Sequence, residues 1–329
     1  MIDSALPSLV EIERAAELIR PTVPPTPQYR WPLLCARTGV DVIVKHENHT
    51  PTGAFKVRGG LVYIDELRRT QRDVPGVIAA TRGNHGQSVA LAAGAAGLRS
   101  VIVVPHGNST EKNAAMRSLG GELIEHGDDF QAALEHARVL ADERGLHMFP
   151  SYAPALVTGV ATYALELFGA HRDLDSVYVP IGLGSGACGV IAARDALGRS
   201  TKIVGVVAEQ AAAYALSFDA GRMVTTETAD TVADGMACRV PNEQALAALL
   251  AGAERVVTVS EDEIRAAMVA YFTDTHNVAE GAGAAPLAAL IKERDRMRGK
   301  QVGLVLSGGN VDADVFRDVL AGHGAPPPA

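Results

Sequence analysis

Short β-branched and aliphatic runs recur along the chain, separated by longer Ala/Leu-rich segments whose apolar positions return every three to four residues. The runs predict strands at 40–47, 77–80, 100–104, 122–124, 176–180, 202–208, 255–259 and 301–306. The segments between them predict helices at 8–19, 57–71, 86–96, 111–119, 130–144, 154–168, 188–197, 261–275, 284–298 and 312–320. Strand followed by helix, repeated, is the pattern of β-α units, so the fold class is α/β with open, twisted parallel sheets covered by helices. All strands except the first and seventh read as core runs. The proline cluster Pro21 to Pro27 reads as an ordered, extended approach to the first strand. The Pro-rich tail at 324–329 reads as frayed.

Composition narrows the possibilities. The chain has 329 residues, 47% of them hydrophobic, enough for about two domains and against a disordered chain. Thirty Lys+Arg against 38 Asp+Glu leave a net charge of −8 with no basic block, so nucleic acid is not an expected partner. Cys35, Cys188 and Cys238 are odd in number and widely spaced, which fits a reducing cytoplasm. Early charges (Asp3, Glu11, Glu13, Arg14) and the lack of a long apolar stretch predict neither a signal peptide nor a membrane span.

Four segments carry candidate chemistry, each leaving a strand or opening a helix. In Pro51-Thr52-Gly53-Ala54-Phe55-Lys56-Val57-Arg58 a lysine stands in the first turn of a helix, where the helix dipole and Arg58 both disfavour its charge. A neutral lysine is a nucleophile able to join a carbonyl cofactor; the plainer alternative is a solvated lysine beside a turn. Thr81-Arg82-Gly83-Asn84-His85-Gly86-Gln87 could hold a carboxylate or phenolate-like oxygen, unless Asn84 is simply a helix cap. Gly182-Leu183-Gly184-Ser185-Gly186 suits an anion at a helix N-terminus. Its spacing with Gly189, and Glu209 about 20 residues on, also satisfies a dinucleotide fingerprint, leaving an NAD-type oxidoreductase as a rival reading. Ser307-Gly308-Gly309-Asn310 places a hydroxyl at a strand's carboxyl end, where open parallel sheets bind ligands.

Together the four segments resemble, in order and over nearly the whole chain, the serine/threonine dehydratase and serine racemase branch of the tryptophan-synthase-β-like pyridoxal 5′-phosphate enzymes. The resemblance implies that Lys56 is the Schiff-base lysine and Phe55 its neighbour beside the ring. It implies that Asn84 bonds the phenolic oxygen, that Gly182, Gly184, Ser185 and Gly186 wrap the phosphate, and that Ser307 faces the pyridine nitrogen. Glu280, in Glu280-Gly281-Ala282-Gly283-Ala284, is implied to lie near the cofactor. Substrate binding falls to Thr81, Arg82, Asn84 and His85. A larger domain (1–68 and 153–329), a smaller inserted one (69–152) and a homodimer are implied as well.

The implied reaction is dehydration and deamination of a β-hydroxy-α-amino acid, foremost L-threonine or L-serine, to a 2-oxo acid and ammonia. Two departures matter. Arg82 stands where the racemases of this group have a serine, and a guanidinium is a poor proton carrier, so racemisation is not expected. It could instead bind a second carboxylate, making 3-hydroxyaspartate an alternative substrate, with phenylserine another. Glu209 matches one metal ligand of the family, but Ala215 replaces the other, leaving at most a monovalent or weak divalent cation. The chain ends soon after Ser307, so a C-terminal regulatory domain and isoleucine feedback are not expected. A non-catalytic ligand sensor on the same fold is the remaining alternative.

Overall fold

The computed structural model describes residues 6–71 and 73–322; Asp3 and the tail read as frayed lie outside the described residues. The strands are β1 (Gln28–Arg30), β2 (Asp41–His46), β3 (Gly76–Ala80), β4 (Arg99–Val104), β5 (Glu122–Glu125), β6 (His147–Met148), β7 (Ser176–Pro180), β8 (Lys202–Ala208), β9 (Arg255–Val259) and β10 (Gln301–Leu306). The helices are α1 (Leu9–Ile19), α2 (Pro32–Thr38), α3 (Lys56–Thr70), α4 (Asn84–Ala95), α5 (Thr110–Ser118), α6 (Phe130–Arg144), α7 (Pro154–Ala170), α8 (Ser185–Ala196), α9 (Ala213–Ala220), α10 (Glu243–Gly252), α11 (Glu261–Thr275), α12 (Gly281–Lys292), α13 (Arg294–Met297) and α14 (Ala313–Gly322).

Two sheets result. One runs β1-β2-β10-β7-β8-β9, parallel except for the antiparallel edge strand β1; the other runs β5-β4-β3-β6, all parallel. The smaller sheet shows the period-two logic of a strand buried on both faces. Val77 and Ala79 of β3, with Ile102 and Val104 of β4, join one apolar cluster, while Ile78, Ala80, Val101 and Val103 join another on the opposite face. The larger sheet has a single extended core in which β7, β8 and β10 meet α7, α8 and α12. No described helix is long and apolar enough to cross a membrane.

Several expectations need correcting. β2 is buried along most of its length, with Lys45, His46 and Glu47 fully enclosed, because those polar side chains are paired inside the protein and do not alternate toward water. β5 is the half-exposed edge of its sheet, although it reads as core. The helix expected at 284–298 starts at Gly281, carries Pro286 inside it and breaks before Arg294. α4 and α8 each start earlier than the glycines suggest.

Candidate active site

Parallel strands bring the four segments to one place. The lysine segment follows β2, the asparagine loop follows β3, the glycine loop follows β7 and the serine loop follows β10, so all four leave strand carboxyl ends. The lysine segment and serine loop are strapped together directly. Ala54 and Gly308 form an isolated antiparallel bridge, Phe55 N donates to Ser307 O at 3.0 Å, and Gly309 N donates to Gly53 O at 2.9 Å. Gly53 needs its left-handed φ of 65° for this turn. The Thr50 hydroxyl closes the turn by donating to Ala54 O and accepting from Ala54 N. The asparagine loop packs onto the same helix: Ser88 Oγ donates to Lys56 O at 2.7 Å, and only a glycine fits at position 60, where a Cβ would meet that hydroxyl at 2.2 Å.

Helix starts fall into two kinds, with α2, α7, α9 and α13 also lacking a side-chain cap. Ser8, Ser109, Asp129, Asn242 and Ser260 cap α1, α5, α6, α10 and α11 with their own side chains. The helices opening at Lys56, Asn84, Ser185 and Gly281 have no side-chain cap. Their first-turn N–H groups therefore remain available to a ligand. Asn84 is the first residue of α4 rather than its cap, which leaves its amide free for other bonds. In the glycine loop, Gly184 is held at φ 98°, and a Cβ on Gly182 would lie 2.1 Å from Gly235 O. The Phe55 ring reaches this loop, its Cζ 3.6 Å from where a Cβ of Gly186 would stand.

Electrostatics single out two groups. Burial lowers the Lys56 amine to about 8, opposed by the nearby Glu280 carboxylate. Arg58 does not cause this shift, contrary to the sequence expectation. Its guanidinium turns away, to Glu47 (Nε to Oε2, 2.7 Å) and Glu166 (Nη1 to Oε1, 2.7 Å), so its charge is consumed. Burial raises Glu280 to about 7 against the pull of Lys112, the Asn84 hydrogen bond and Lys56. Glu280 accepts from Asn84 Nδ2 at 2.7 Å, and its backbone N donates to Gly308 O, which joins it to the serine loop.

The substrate-side residues are less uniform. The Thr81 hydroxyl accepts from Gly83 N and shapes the loop. His85 is pushed down to about 3 by burial and by Lys56, so it is neutral; its ring packs edge-on against Phe149 and its Nε2 is buried without a partner. Gln87 Nε2 is likewise orphaned. Arg82 is exposed on the same loop. Glu209 is exposed beyond β8, and among the described residues no group of three His, Cys, Asp or Glu gathers to hold a metal. A cavity of about 170 Å³ beside Glu280 is lined by Ser109 and Lys112 from one side and Asp234, Asn310 and Asp312 from the other. Lys112, which donates to Asp234 at 3.0 Å, and Asn310 carry no local signal of a role in the chain. Only their convergence in space marks them.

A half-buried lysine whose amine is lowered to about 8, an uncapped glycine-bounded helix start and unpartnered polar atoms beside an asparagine loop fit an aldehyde cofactor bearing a phosphate. The family model described as pyridoxal-phosphate dependent enzyme matches residues 19–308, and the chain belongs to that family, with its tryptophan-synthase-β-like α/β fold. Among its relatives, the L-threonine ammonia-lyase of Thermotoga maritima is 32% identical over 314 residues, covering 95% of this chain and 78% of that one. A solved threonine deaminase from T.th. superimposes with a TM-score of 0.87 at 32% identity, covering 93% of this chain and 99% of that one. A pyridoxal 5′-phosphate-dependent aspartate racemase gives 0.89 at 28% identity, covering 94% and 97%. The chain spans 58% of the length of the biosynthetic L-threonine dehydratase of Pasteurella multocida.

Proposed function

We propose that this enzyme is an ammonia-lyase that dehydrates and deaminates a β-hydroxy-α-amino acid, L-threonine or L-serine, to the 2-oxo acid and ammonia. The observation that carries the reading is the half-buried Lys56, its amine lowered to about 8 where the four segments converge. Relatives named for threonine deamination support it.

Pyridoxal phosphate, when bound, supplies an aldehyde for the amino group and a ring that draws electrons from Cα. The N–H groups at Gly182, Gly184, Ser185 and Gly186 would hold its phosphate, the Phe55 ring would flank it, Asn84 Nδ2 would donate to its phenolic oxygen, and Ser307 would face the ring nitrogen. A serine hydroxyl there does not hold a full positive charge as a carboxylate would, which favours elimination over amino transfer. Lys56, its amine brought down to about 8, would take the proton from Cα as general base. Glu280 keeps the Asn84 amide in place. Thr81, Asn84, His85 and the first N–H groups of α4 would bind the substrate carboxylate. Arg82 has no hydroxyl to return a proton on the other face, which supports elimination without racemisation. Its charge also suits a second substrate carboxylate, a reading favoured by the likeness to an aspartate racemase.

The proposed division into lobes is 1–68 with 153–329, and 69–152, with the site in the cleft between. Three hydrogen bonds join α5 to the other side: Ser109 Oγ to Asp312 (2.5 Å), Lys112 Nζ to Asp234 (3.0 Å) and Ala313 N to Glu111 (2.9 Å). A homodimer in a reducing cytoplasm is the proposed setting, supported by three free cysteines. For a cation, Glu209 supports a weak monovalent site at most, which titration of turnover with potassium checks. The reading as a whole is tested by Lys56→Ala, which should abolish both the visible absorbance of the purified enzyme and ammonia release from L-threonine. Retention of either overturns it.

A further inference from the structure

We infer that Asn310 is a positioning residue that dictates which end of the Asn84 amide faces the reaction centre; this rests on the reading that Asn84 addresses the cofactor's phenolic oxygen. One atom of this chain of bonds has a fixed polarity. Thr52 O, a backbone carbonyl, can only accept, so Asn310 must present its amide nitrogen there, at 2.8 Å. The other hydrogen of that NH₂ group points to Asn84, also at 2.8 Å, and requires an acceptor. Asn84 therefore turns Oδ1 toward Asn310. Its Nδ2 is left on the far side, where it donates to Glu280 Oε1 at 2.7 Å. Flipping either amide would set N–H against N–H or oxygen against oxygen.

Packing holds the director in place. A Cβ on Gly53 would come within 2.5 Å of Asn310 Oδ1, so this side chain lies tightly on the lysine turn. Its own loop is strapped to that turn by the Gly309–Gly53 and Phe55–Ser307 backbone bonds. Thr52, Asn310 and Glu280 come from the side of the larger sheet, whereas Asn84 follows β3 of the smaller one. Asn310 thus carries the donor direction of a backbone carbonyl across the cleft and delivers an N–H where a developing negative oxygen needs it. An unguided amide could turn its carbonyl to that oxygen and repel it.

The test pairs two substitutions at 310 with one at 84. Asn310→Asp keeps the shape but removes the NH₂ group, and Asn310→Ala removes this donor without adding a charge, leaving the Asn84 amide held by Glu280. On fully loaded enzyme, each should lower kcat for L-threonine by roughly 10-fold to 100-fold with a much smaller change in KM, less than the roughly 100-fold to 1000-fold that outright removal of a preorganised donor costs. Each should also move the visible absorbance and raise the cofactor dissociation constant. In an Asn84→Ala background the same substitutions should change all three readouts by less than about twofold, since the group they direct is gone. Wild-type absorbance and cofactor affinity in both 310 variants overturns the inference, as do losses that multiply with those of Asn84→Ala. If Asn84→Ala alone leaves absorbance and affinity unchanged, the underlying assignment of Asn84 fails, and the inference with it.

Discussion

Glu47→Gln removes one charge from a buried cluster beneath the helix that carries Lys56. Glu47 and Arg58 are fully enclosed, as is Lys45. Glu47 accepts from Arg58 Nε (2.7 Å), Arg58 Nη2 (3.0 Å) and Thr26 Oγ1 (2.6 Å), while Glu166 accepts from Arg58 and Lys45. Two cations thus face two carboxylates. The substitution preserves volume but leaves both cations with Glu166 alone. Coulomb attraction for a pair about 4 Å apart at an effective dielectric of about 20 is ~4 kcal/mol. Breaking buried pairs by removing one partner costs about 3–5 kcal/mol, which agrees. At roughly 2 °C per kcal/mol for a chain of this size, the melting temperature should fall by roughly 6–10 °C. Lys45→Met added to Glu47→Gln restores neutrality around Arg58 and Glu166, so the double variant should recover part of the loss and not add to it. Differential scanning calorimetry and urea midpoints on all three variants decide the matter. A single-variant loss below about 1 kcal/mol, or strict additivity in the double, would refute the reasoning, since both require the charges to be uncoupled.

Stability of the cofactor-free protein should depend on Glu280. Its carboxyl is raised from 4.5 to about 7, so between those values the folded state holds a proton that the unfolded state has released. The stability this gives is full below 4.5 and lost as pH rises through about 7; Glu280→Gln should flatten that part of a melting-temperature profile, and an unchanged slope contradicts the assignment. Gly182→Ala drives a methyl against Gly235 O, and a clash of that kind costs about 1–3 kcal/mol. Expressed in cofactor binding, that is roughly a 5-fold to 150-fold weaker dissociation constant, measurable by absorbance titration. Arg82→Ala should lose turnover of 3-hydroxyaspartate while keeping that of L-threonine; equal losses on both substrates would show that Arg82 does not read a second carboxylate. The unaltered enzyme should form no D-serine from L-serine by chiral chromatography.

The motifs that could be read in the chain are local ones. Each of the four segments couples a strand end to a turn within a few residues, so spacing and residue type reveal it. What escaped depends on distant partners. Arg58 looks like a charge beside Lys56 until Glu166 on α7 claims it, and Lys45-His46-Glu47 looks half-exposed until Thr26, Arg58 and Glu166 enclose it. β1 and β6 have three and two residues with little β-branched character, and their existence is owed to the neighbours they pair with. α2 begins on a proline after an uncapped tryptophan, a weak start signal. α10 is different: Asn242 caps Glu243-Gln244-Ala245, a start signal present in the chain and passed over. The glycine-rich stretches at 281–283 and 184–186 read as loop because free glycine is flexible, yet here they begin helices, with Gly184, Gly281 and Gly283 packed too closely for a side chain. A Cβ on Gly283 would meet Gly308 O at 2.4 Å.

The position of β10 bears on how the protein is made. The final described strand enters the middle of its sheet, between β2 and β7, and its loop grips the turn that precedes Lys56. A nascent chain carries Lys56 early but cannot enclose it until this strand slots in between β2 and β7. Assembly of the pocket therefore waits on this strand, and a folding intermediate that lacks it leaves a gap between β2 and β7.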